Sequence, residues 1–131
     1  MRDQHRKWKK KFADAFRGVA DGVSEQNSFV LHIPCGLIVI VLAVFFRLKQ
    51  SIDTAQMCVL LLAVGAVIAA ELFNSSIEWI SRAIIKNYDE DVRKSLDIAS
   101  GAVLAISFFS MVVGLIILLP PLIALVHEWI S

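Results

Sequence analysis

The chain has 131 residues, of which 57% are hydrophobic and 19% are charged, and its formal net charge is +1. A soluble domain of this length is usually about 45–50% hydrophobic and about 25% charged. This balance, with only two cysteines, excludes a disordered chain, a disulfide-stapled secreted domain and a nucleic-acid-binding module with a broad basic surface. It predicts a small integral membrane protein with three spans.

Residues 1–26 predict an amphipathic helix. Five apolar residues are spaced 4, 4, 3 and 4 apart, which is the repeat of a single helical stripe. Lys and Arg side chains occupy most of the opposite face near the start. A helix of this kind is typical of the membrane interface, although a soluble helix packed on a partner has the same pattern. The stripe consists of Trp8, Phe12, Phe16, Val19 and Val23.

Three apolar stretches follow and predict three transmembrane helices, over residues 29–46, 55–85 and 96–130. The first is just long enough to cross the hydrocarbon at about 1.5 Å per residue. The second continues beyond its uncharged part as a cytoplasmic extension. In the third, Pro120 and Pro121 are expected to bend or end regular helix. The fold class is therefore an all-α membrane protein with a single domain over the whole chain.

The distribution of Lys and Arg predicts the orientation. With a cytoplasmic N-terminus and an external C-terminus, eleven cations lie on the cytoplasmic side and two on the other side. This asymmetry follows the positive-inside rule. The cytoplasmic set comprises the seven Lys and Arg of residues 1–26 with Arg82, Lys86, Arg93 and Lys94, and the external set is Arg47 and Lys49.

Four polar residues near the end of the second apolar stretch are candidates for function. Glu71, Asn74, Ser75 and Glu78 have offsets of 0, 3, 4 and 7, so they share one face of a helix. A polar seam between helices could use one Asn or Ser. Two carboxylates are expensive at membrane depth, so we expect them to serve function.

The start of the third span carries another carboxylate, Asp97, with Ser100 and Gly101 three and four residues later on the same face. Small residues allow helices to approach closely, so we expect Asp97 to lie against Glu71 and Glu78. Three converging carboxylates would need a cation such as Mg²⁺, which binds carboxylate and phosphate oxygens. The pattern suggests phosphoryl transfer to an acceptor in the bilayer, although a proton-coupled carrier would use similar carboxylates.

Two sequence blocks resemble a known family. Residues 71–78, E-L-F-N-S-S-I-E, resemble the E-x-x-N-[ST]-x-I-E signature of the small prokaryotic diacylglycerol and undecaprenol kinases. Residues 96–104, L-D-I-A-S-G-A-V-L, are similar to a second block, where a Lys-Asp pair precedes small residues and Ala-Val. The resemblance covers nearly the whole chain. It implies a kinase of the bacterial plasma membrane that transfers the γ-phosphate of ATP, with Mg²⁺, to a lipid alcohol.

The resemblance also implies roles for individual residues. Glu71 would be the catalytic base on the lipid hydroxyl, and Asn74 would help to position nucleotide and acceptor. Glu78 would hold Mg²⁺, and Asp97 would complete the nucleotide site. Members of the family are homotrimers whose active sites combine residues of neighbouring subunits, so a homotrimer is expected here.

One departure from the family concerns the cation at the phosphates. The Lys that precedes Asp97 in the family is Leu96 here, and phosphoryl transfer requires positive charge near the phosphates. Arg93 and Lys94, one turn earlier, are candidates to supply it, as is Arg82. We therefore count Arg93 and Lys94, with Asn74, Asp97 and Ser100, as substrate- and nucleotide-binding candidates.

A second departure concerns the metal. A Mg²⁺-binding Glu that precedes the first span in the family aligns with Gln26, and Glu25 lies beside it. Either the register shifts by one residue or the metal shell is altered, and Glu25 joins Glu78 as a candidate metal ligand. These departures keep open a catalytically altered member that acts as a lipid-binding or regulatory subunit.

The remaining polar residues of the spans are given structural roles. His32, near the start of the first span, is interpreted as a hydrogen-bonded interfacial histidine, with contact to a headgroup or nucleotide as the alternative. Cys35 and Cys58 lack the spacing of a metal or disulfide motif. We expect both to be buried free thiols.

Overall fold

The computed structural model describes residues 2–25, 28–84 and 86–130. This part of the chain forms four helices: α1 (Arg2–Glu25), α2 (Phe29–Leu48), α3 (Thr54–Ile84) and α4 (Glu90–Ile130). The described residues contain no strand. Three helices, α2, α3 and α4, are long and apolar enough to cross a membrane. The prediction of an all-helical protein with three spans is thus confirmed.

The turn between α2 and α3 is closed by local hydrogen bonds. At the end of α2, the Ser51 N–H donates to the Phe46 carbonyl at 2.9 Å and the Gln50 N–H to the Arg47 carbonyl at 3.1 Å. These bonds form a Schellman motif, with Gln50 in the left-handed region at φ 57°. The next helix opens with a capping box, because Asp53 and Gln56 exchange side-chain bonds to each other's backbone N–H.

The apolar core lies at the end of the bundle where α2 meets α3. It is a cluster of buried residues from α2, α3, α4 and the turn, so three helices and a tight turn share one hydrophobic contact region. Burying a side chain of this size contributes about 1.5–3 kcal/mol to stability. The cluster consists of Ala43, Phe46, Ile52, Leu60 and Leu118.

Two glycines allow close helix approaches. A Cβ on Gly36 of α2 would lie 3.0 Å from Val64 Cγ1 of α3, and a Cβ on Gly22 of α1 would lie 2.8 Å from Leu72 Cδ2. The second contact shows how α1 packs against α3. The aromatic side chains of the α1 stripe are exposed, with Trp8, Phe12 and Phe16 between 56% and 75% accessible.

Helix α4 differs from the prediction at its start and near its end. It begins at Glu90 because the Asp89 carboxylate caps it, accepting from the N–H groups of Asp91 and Val92. Of the two outcomes expected at Pro120 and Pro121, a bend or an end, the end of regular helix is wrong, because α4 continues through both to Ile130. Prolines remain compatible with a helix in a membrane, where other groups can satisfy the freed carbonyls.

The expectation for the two cysteines is half right. Cys35 and Cys58 are free thiols, but both are exposed on the surface of the single chain rather than buried. Many apolar side chains of the spans are exposed in the same way, including Leu62 and Leu104. A lone helix bundle with an apolar exterior suits a lipid environment.

Candidate active site

Glu71 is the most buried acidic side chain of the described residues, with 3% of the residue exposed. It lies on α3, and both of its carboxylate oxygens contact polar groups at the start of α2. The Ser28 hydroxyl donates to Oε2 at 2.8 Å, and His32 Nε2 lies 3.0 Å from Oε1. These contacts satisfy the hydrogen-bonding needs of a carboxylate that has lost most of its hydration.

The start of α2 explains why two polar groups reach Glu71. The carbonyl of Ser28 accepts from the N–H groups of Leu31 and His32, so Ser28 belongs to the first helical turn. Its side chain makes no capping bond to the helix, which leaves the hydroxyl available to Glu71. Because Ser28 and His32 are four residues apart, they share one face of α2. The neighbouring Phe29 is buried and anchors this turn.

A chain of polar side chains continues from Glu71 toward the C-terminal end of α3. Asn74 Nδ2 donates to Glu78 Oε1 at 2.9 Å, and Arg82 Nη2 donates to Glu78 Oε2 at 2.8 Å. The hydroxyl of Ser100 on α4 lies 3.5 Å from Asn74 Oδ1. The predicted stripe on α3 is therefore one face of the helix, and α4 contributes Ser100 to it.

These side chains line a cavity of about 590 Å³, which we call the polar pocket. Its wall contains two carboxylates, a carboxamide, a guanidinium, an imidazole and hydroxyl groups. Groups of this kind can bind phosphate oxygens and accept a proton from a hydroxyl. The polar residues in its wall include Ser28, His32, Glu71, Asn74, Glu78, Arg82 and Ser100.

A second cavity, of about 490 Å³, runs between α2, α3 and α4 and is lined mainly by apolar residues. We call it the apolar cleft. It shares Leu31, His32 and Ser107 with the polar pocket, so the two cavities meet beside Glu71. Their junction joins a hydrophobic passage within the spans to the carboxylate.

The structure does not bring Asp97 against Glu71 and Glu78, so that expectation is wrong within one chain. The Asp97 side chain is 64% exposed and is held by Arg93, whose Nη1 lies 2.6 Å from its Oδ2. Ser100, one turn further along the same face of α4, does reach Asn74 of α3 and lines the polar pocket, whereas Asp97 does not line it. Arg93 also binds Glu90 at 2.6 Å, and neither Arg93 nor Asp97 lines the polar pocket.

The remaining candidate cations have different positions. Lys94 Nζ lies 3.6 Å from Asp91 on the exposed face of α4. Arg82, in contrast, lines the polar pocket together with Glu71. Among the three candidates for the missing Lys, Arg82 is therefore the one that the fold brings to the carboxylates.

The side chains around the polar pocket offer few carboxylate ligands for Mg²⁺. No group of three or more His, Cys, Asp and Glu side chains in residues 2–25, 28–84 and 86–130 is arranged for a metal ion. Glu78 provides one carboxylate beside the pocket, and the side chain of Glu25 and all of Gln26 lie outside the described residues. Mg²⁺ commonly takes one or two carboxylates plus substrate phosphates. This donor set fits that mode, and not a metal enclosed by protein alone.

Sequence reasoning missed Ser28 as a site residue. His32 was predicted to be a hydrogen-bonded interfacial histidine, and its Nε2 does contact a polar group, but that partner was not foreseen. Two polar side chains four residues apart at the start of an apolar helix were the available signal, because they must share a face that needs a polar partner. The partner, Glu71, is far along the chain and only tertiary packing identifies it.

Comparison with known proteins extends these observations. The family model for prokaryotic diacylglycerol kinase matches residues 13–118, which include the residues that line the polar pocket. The chain belongs to this family. The resemblance seen in the two sequence blocks is thereby confirmed, and Glu71 lies within the matched residues.

Two curated relatives of this chain are named as kinases. A diacylglycerol kinase from Synechocystis sp. is 31% identical over 115 residues, which cover 87% of this chain and 63% of the relative. An undecaprenol kinase from Bacillus subtilis is 26% identical over 121 residues, which cover 92% of this chain and 95% of the relative. The chain thus spans less than two thirds of the first relative and nearly all of the second.

Proposed function

We propose that this protein is a membrane lipid kinase that transfers the γ-phosphate of ATP to the hydroxyl of a lipid alcohol of the diacylglycerol or undecaprenol type. The single observation that carries the proposal is the position of Glu71. This buried carboxylate lies where the apolar cleft meets the polar pocket. The kinase names of the two relatives support the same reaction class.

The apolar cleft is suited to the hydrocarbon part of the acceptor. Its lining offers few polar groups, and its volume of about 490 Å³ lies within the range of ligand pockets. A lipid whose tail lay in the cleft would present its hydroxyl at the junction, beside Glu71. The bilayer supplies the substrate directly to such a site, because α2, α3 and α4 form its walls.

Glu71 would act as the general base. The O–H bond of the lipid hydroxyl breaks and its proton moves to a carboxylate oxygen of Glu71. The electron pair of the hydroxyl oxygen forms the new bond to the γ-phosphorus, while the bond to the bridging oxygen breaks and ADP leaves with that electron pair. A positioned base of this kind contributes about 10²–10⁴-fold to a rate.

The nucleotide would occupy the polar pocket, with Arg82 as the cation nearest to the transferred phosphate. Asn74 and Ser100 would position nucleotide and acceptor, and Arg93, Lys94 and Asp97 would contact the nucleotide from the exposed start of α4. This division follows the positions of the side chains, because Arg82 lines the pocket and the α4 residues do not. Pairing with Glu78 holds the Arg82 guanidinium near the phosphate position.

Mg²⁺ would arrive with ATP and neutralise charge on its phosphates. Glu78 would hold it together with Glu25, the ligand implied by the family resemblance. The base and the cation-binding carboxylate would then be separate residues on one face of α3. Glu71 would then keep its remaining lone pairs for the lipid hydroxyl, while Ser28 and His32 contact its two oxygens from α2.

We also propose that the protein lies in the bacterial plasma membrane, with a cytoplasmic N-terminus and with α1 along the membrane surface. The cation asymmetry and the exposed aromatic side chains of α1 are the supporting observations. We further propose a homotrimer, as the family resemblance implies. The mass of the purified protein in detergent, after correction for bound detergent, tests it.

The test of the proposed function is phosphate transfer by purified protein in mixed micelles. We expect ATP- and Mg²⁺-dependent formation of a lipid phosphate from diacylglycerol, undecaprenol or both, and no product from lipids without a hydroxyl. Absence of product with every lipid alcohol would contradict the proposal. Lipid binding without nucleotide binding would instead indicate a non-catalytic lipid-binding or regulatory member, which Leu96 at the position of the family Lys would explain.

A further inference from the structure

The amino-acid sequence does not predict which group His32 contacts in the folded chain. Its Nε2 lies 3.0 Å from Glu71 Oε1, and its side chain is 20% exposed, against 4% for the Glu71 side chain. The imidazole lines both the apolar cleft and the polar pocket. His32 therefore connects Glu71, which lines only the polar pocket, with the apolar cleft.

The contact constrains the protonation of both groups. A carboxylate that accepts a proton from a substrate must first be ionised, and an ionised carboxylate can only accept hydrogen bonds. His32 Nε2 must then carry the hydrogen and donate it to Oε1. A ring nitrogen that donates to Glu71 has no lone pair with which to take a substrate proton. The geometry thus gives His32 a role that acts through Glu71.

The two contacts also fix the orientation of the Glu71 carboxylate. Ser28 holds Oε2 and His32 holds Oε1, so rotation of the carboxylate would break both bonds. Each oxygen keeps a further lone pair for a substrate hydroxyl. Hydrogen bonds to a charged group are among the stronger ones in proteins, and catalytic groups require this kind of support to stay in productive geometry.

We propose that His32 is a positioning residue for phosphoryl transfer, which orients the Glu71 carboxylate through the contact of its Nε2 with Oε1. The inference rests on the proposed function, because the role exists only if Glu71 is the base. It predicts a defect in the chemical step and not in the binding of ATP. It also predicts that an amide able to donate from the same place can replace the imidazole.

The kinetic test compares two substitutions at His32. His32→Leu fills similar space without a donor, and we expect kcat to fall about 10- to 100-fold with the KM for ATP within about twofold. His32→Gln places an amide N–H near the position of Nε2, and we expect kcat within about threefold of the unmodified protein. His127→Leu, near the far end of α4, is the matched control. Equal losses in the leucine and glutamine variants, or full activity of the leucine variant, would overturn the proposal.

A spectroscopic test detects the contact between His32 and Glu71 independently of kinase activity. In protein labelled with ¹⁵N-histidine, Glu71→Gln is expected to shift the ring-nitrogen resonances of His32 and to leave those of His127 in place. Resonances of His32 that do not respond would overturn the contact. If the unmodified protein phosphorylates no lipid alcohol, the proposed function fails and the positioning role falls with it. If it is active and only the His32 expectations fail, the role of His32 alone is wrong.

Discussion

Acidic side chains in two regions of the molecule, one on α3 beside the start of α2 and one at the start of α4, are stabilised in different ways. We call them the buried site, made of Ser28, His32 and Glu71, and the exposed cluster, made of Glu90, Arg93 and Asp97. In the buried site, uncharged or titratable donors from α2 hold a carboxylate that is 3% exposed. In the exposed cluster, one arginine bridges two carboxylates of its own helix, with side chains that are 48–64% exposed.

The difference shows which region depends on the tertiary fold. Exposed ion pairs within a helix contribute about 0–1 kcal/mol, because water screens them and long side chains lose entropy. The partners of Glu71 come from another helix, and losing one of them leaves a buried charge short of a donor. We therefore expect function and stability to be sensitive to the buried site and tolerant of changes in the exposed cluster.

The largest expected effect follows removal of the base. Glu71→Gln keeps the shape of the side chain but cannot accept the proton, so kcat is expected to fall about 10²–10⁴-fold. The oligomer and the helix content should be retained. Glu128→Gln, near the C-terminal end of α4, is the matched control and should retain activity. A Glu71→Gln variant with normal kcat would remove Glu71 as the base.

The candidate phosphate-binding cations also differ in position, because Arg82 lines the polar pocket and Arg93 and Lys94 do not. Arg82→Gln removes the guanidinium that lines the polar pocket, and we expect kcat/KM for ATP to fall about 10- to 100-fold. Combined Arg93→Gln and Lys94→Gln substitutions should lower it about threefold, since both side chains lie outside the pocket. Steady-state kinetics at saturating lipid measure both. The opposite order of effects would assign the phosphate-binding role to the start of α4.

A smaller effect is expected on stability. Ser28→Ala removes a donor to the buried carboxylate, and we expect unfolding in detergent to become easier by about 1–3 kcal/mol. Ser81→Ala is the control, because the Ser81 hydroxyl donates to the Ile77 carbonyl on an exposed face. Its effect should stay within about 0.5 kcal/mol. Equal losses at both positions would mean that Glu71 does not depend on Ser28.

The smallest effect concerns a turn distant from both regions. Gln50 adopts φ 57° in the Schellman motif that ends α2. Glycine has no Cβ to oppose this conformation, so Gln50→Gly should stabilise the fold by about 1 kcal/mol. Thermal unfolding in detergent measures the change while kinase activity is expected to be unaltered. A destabilised variant would show that the Gln50 side chain makes a contribution larger than its strain.

Much of the fold could be predicted because membrane spans have a strong hydrophobic signal. The three spans differ from their predicted boundaries by a few residues, apart from α4, which begins at the Asp89 cap instead of at residue 96. An end of regular helix at the prolines of α4 was the wrong alternative, since the local rule that proline ends a helix does not include the support of neighbouring helices. Burial of the thiols was wrong because an apolar surface is normal in lipid.

The candidate site was predictable where it follows from the geometry of one helix. Offsets of 0, 3, 4 and 7 placed Glu71, Asn74 and Glu78 on one face, as found. The convergence of Asp97 with them could not be decided from spacing, because it depends on how closely α4 approaches α3 at that turn. The contacts of Ser28 and His32 with Glu71 join residues 43 and 39 positions apart along the chain. No local pattern specifies such pairs.

The central claim is that a lipid alcohol lies in the apolar cleft and that its hydroxyl reaches Glu71 where the cleft meets the polar pocket. Cys35 lines this cleft and is exposed, whereas Cys58 is exposed but outside the lining. The most direct measurement is therefore the rate of alkylation of each thiol by a membrane-permeant maleimide, resolved by mass spectrometry. Diacylglycerol or undecaprenol should slow alkylation at Cys35 and leave Cys58 unchanged, relative to the same lipid with its hydroxyl esterified. Alkylation of Cys35 that is unaffected by every lipid alcohol, or slowed equally at both thiols, would contradict the claim.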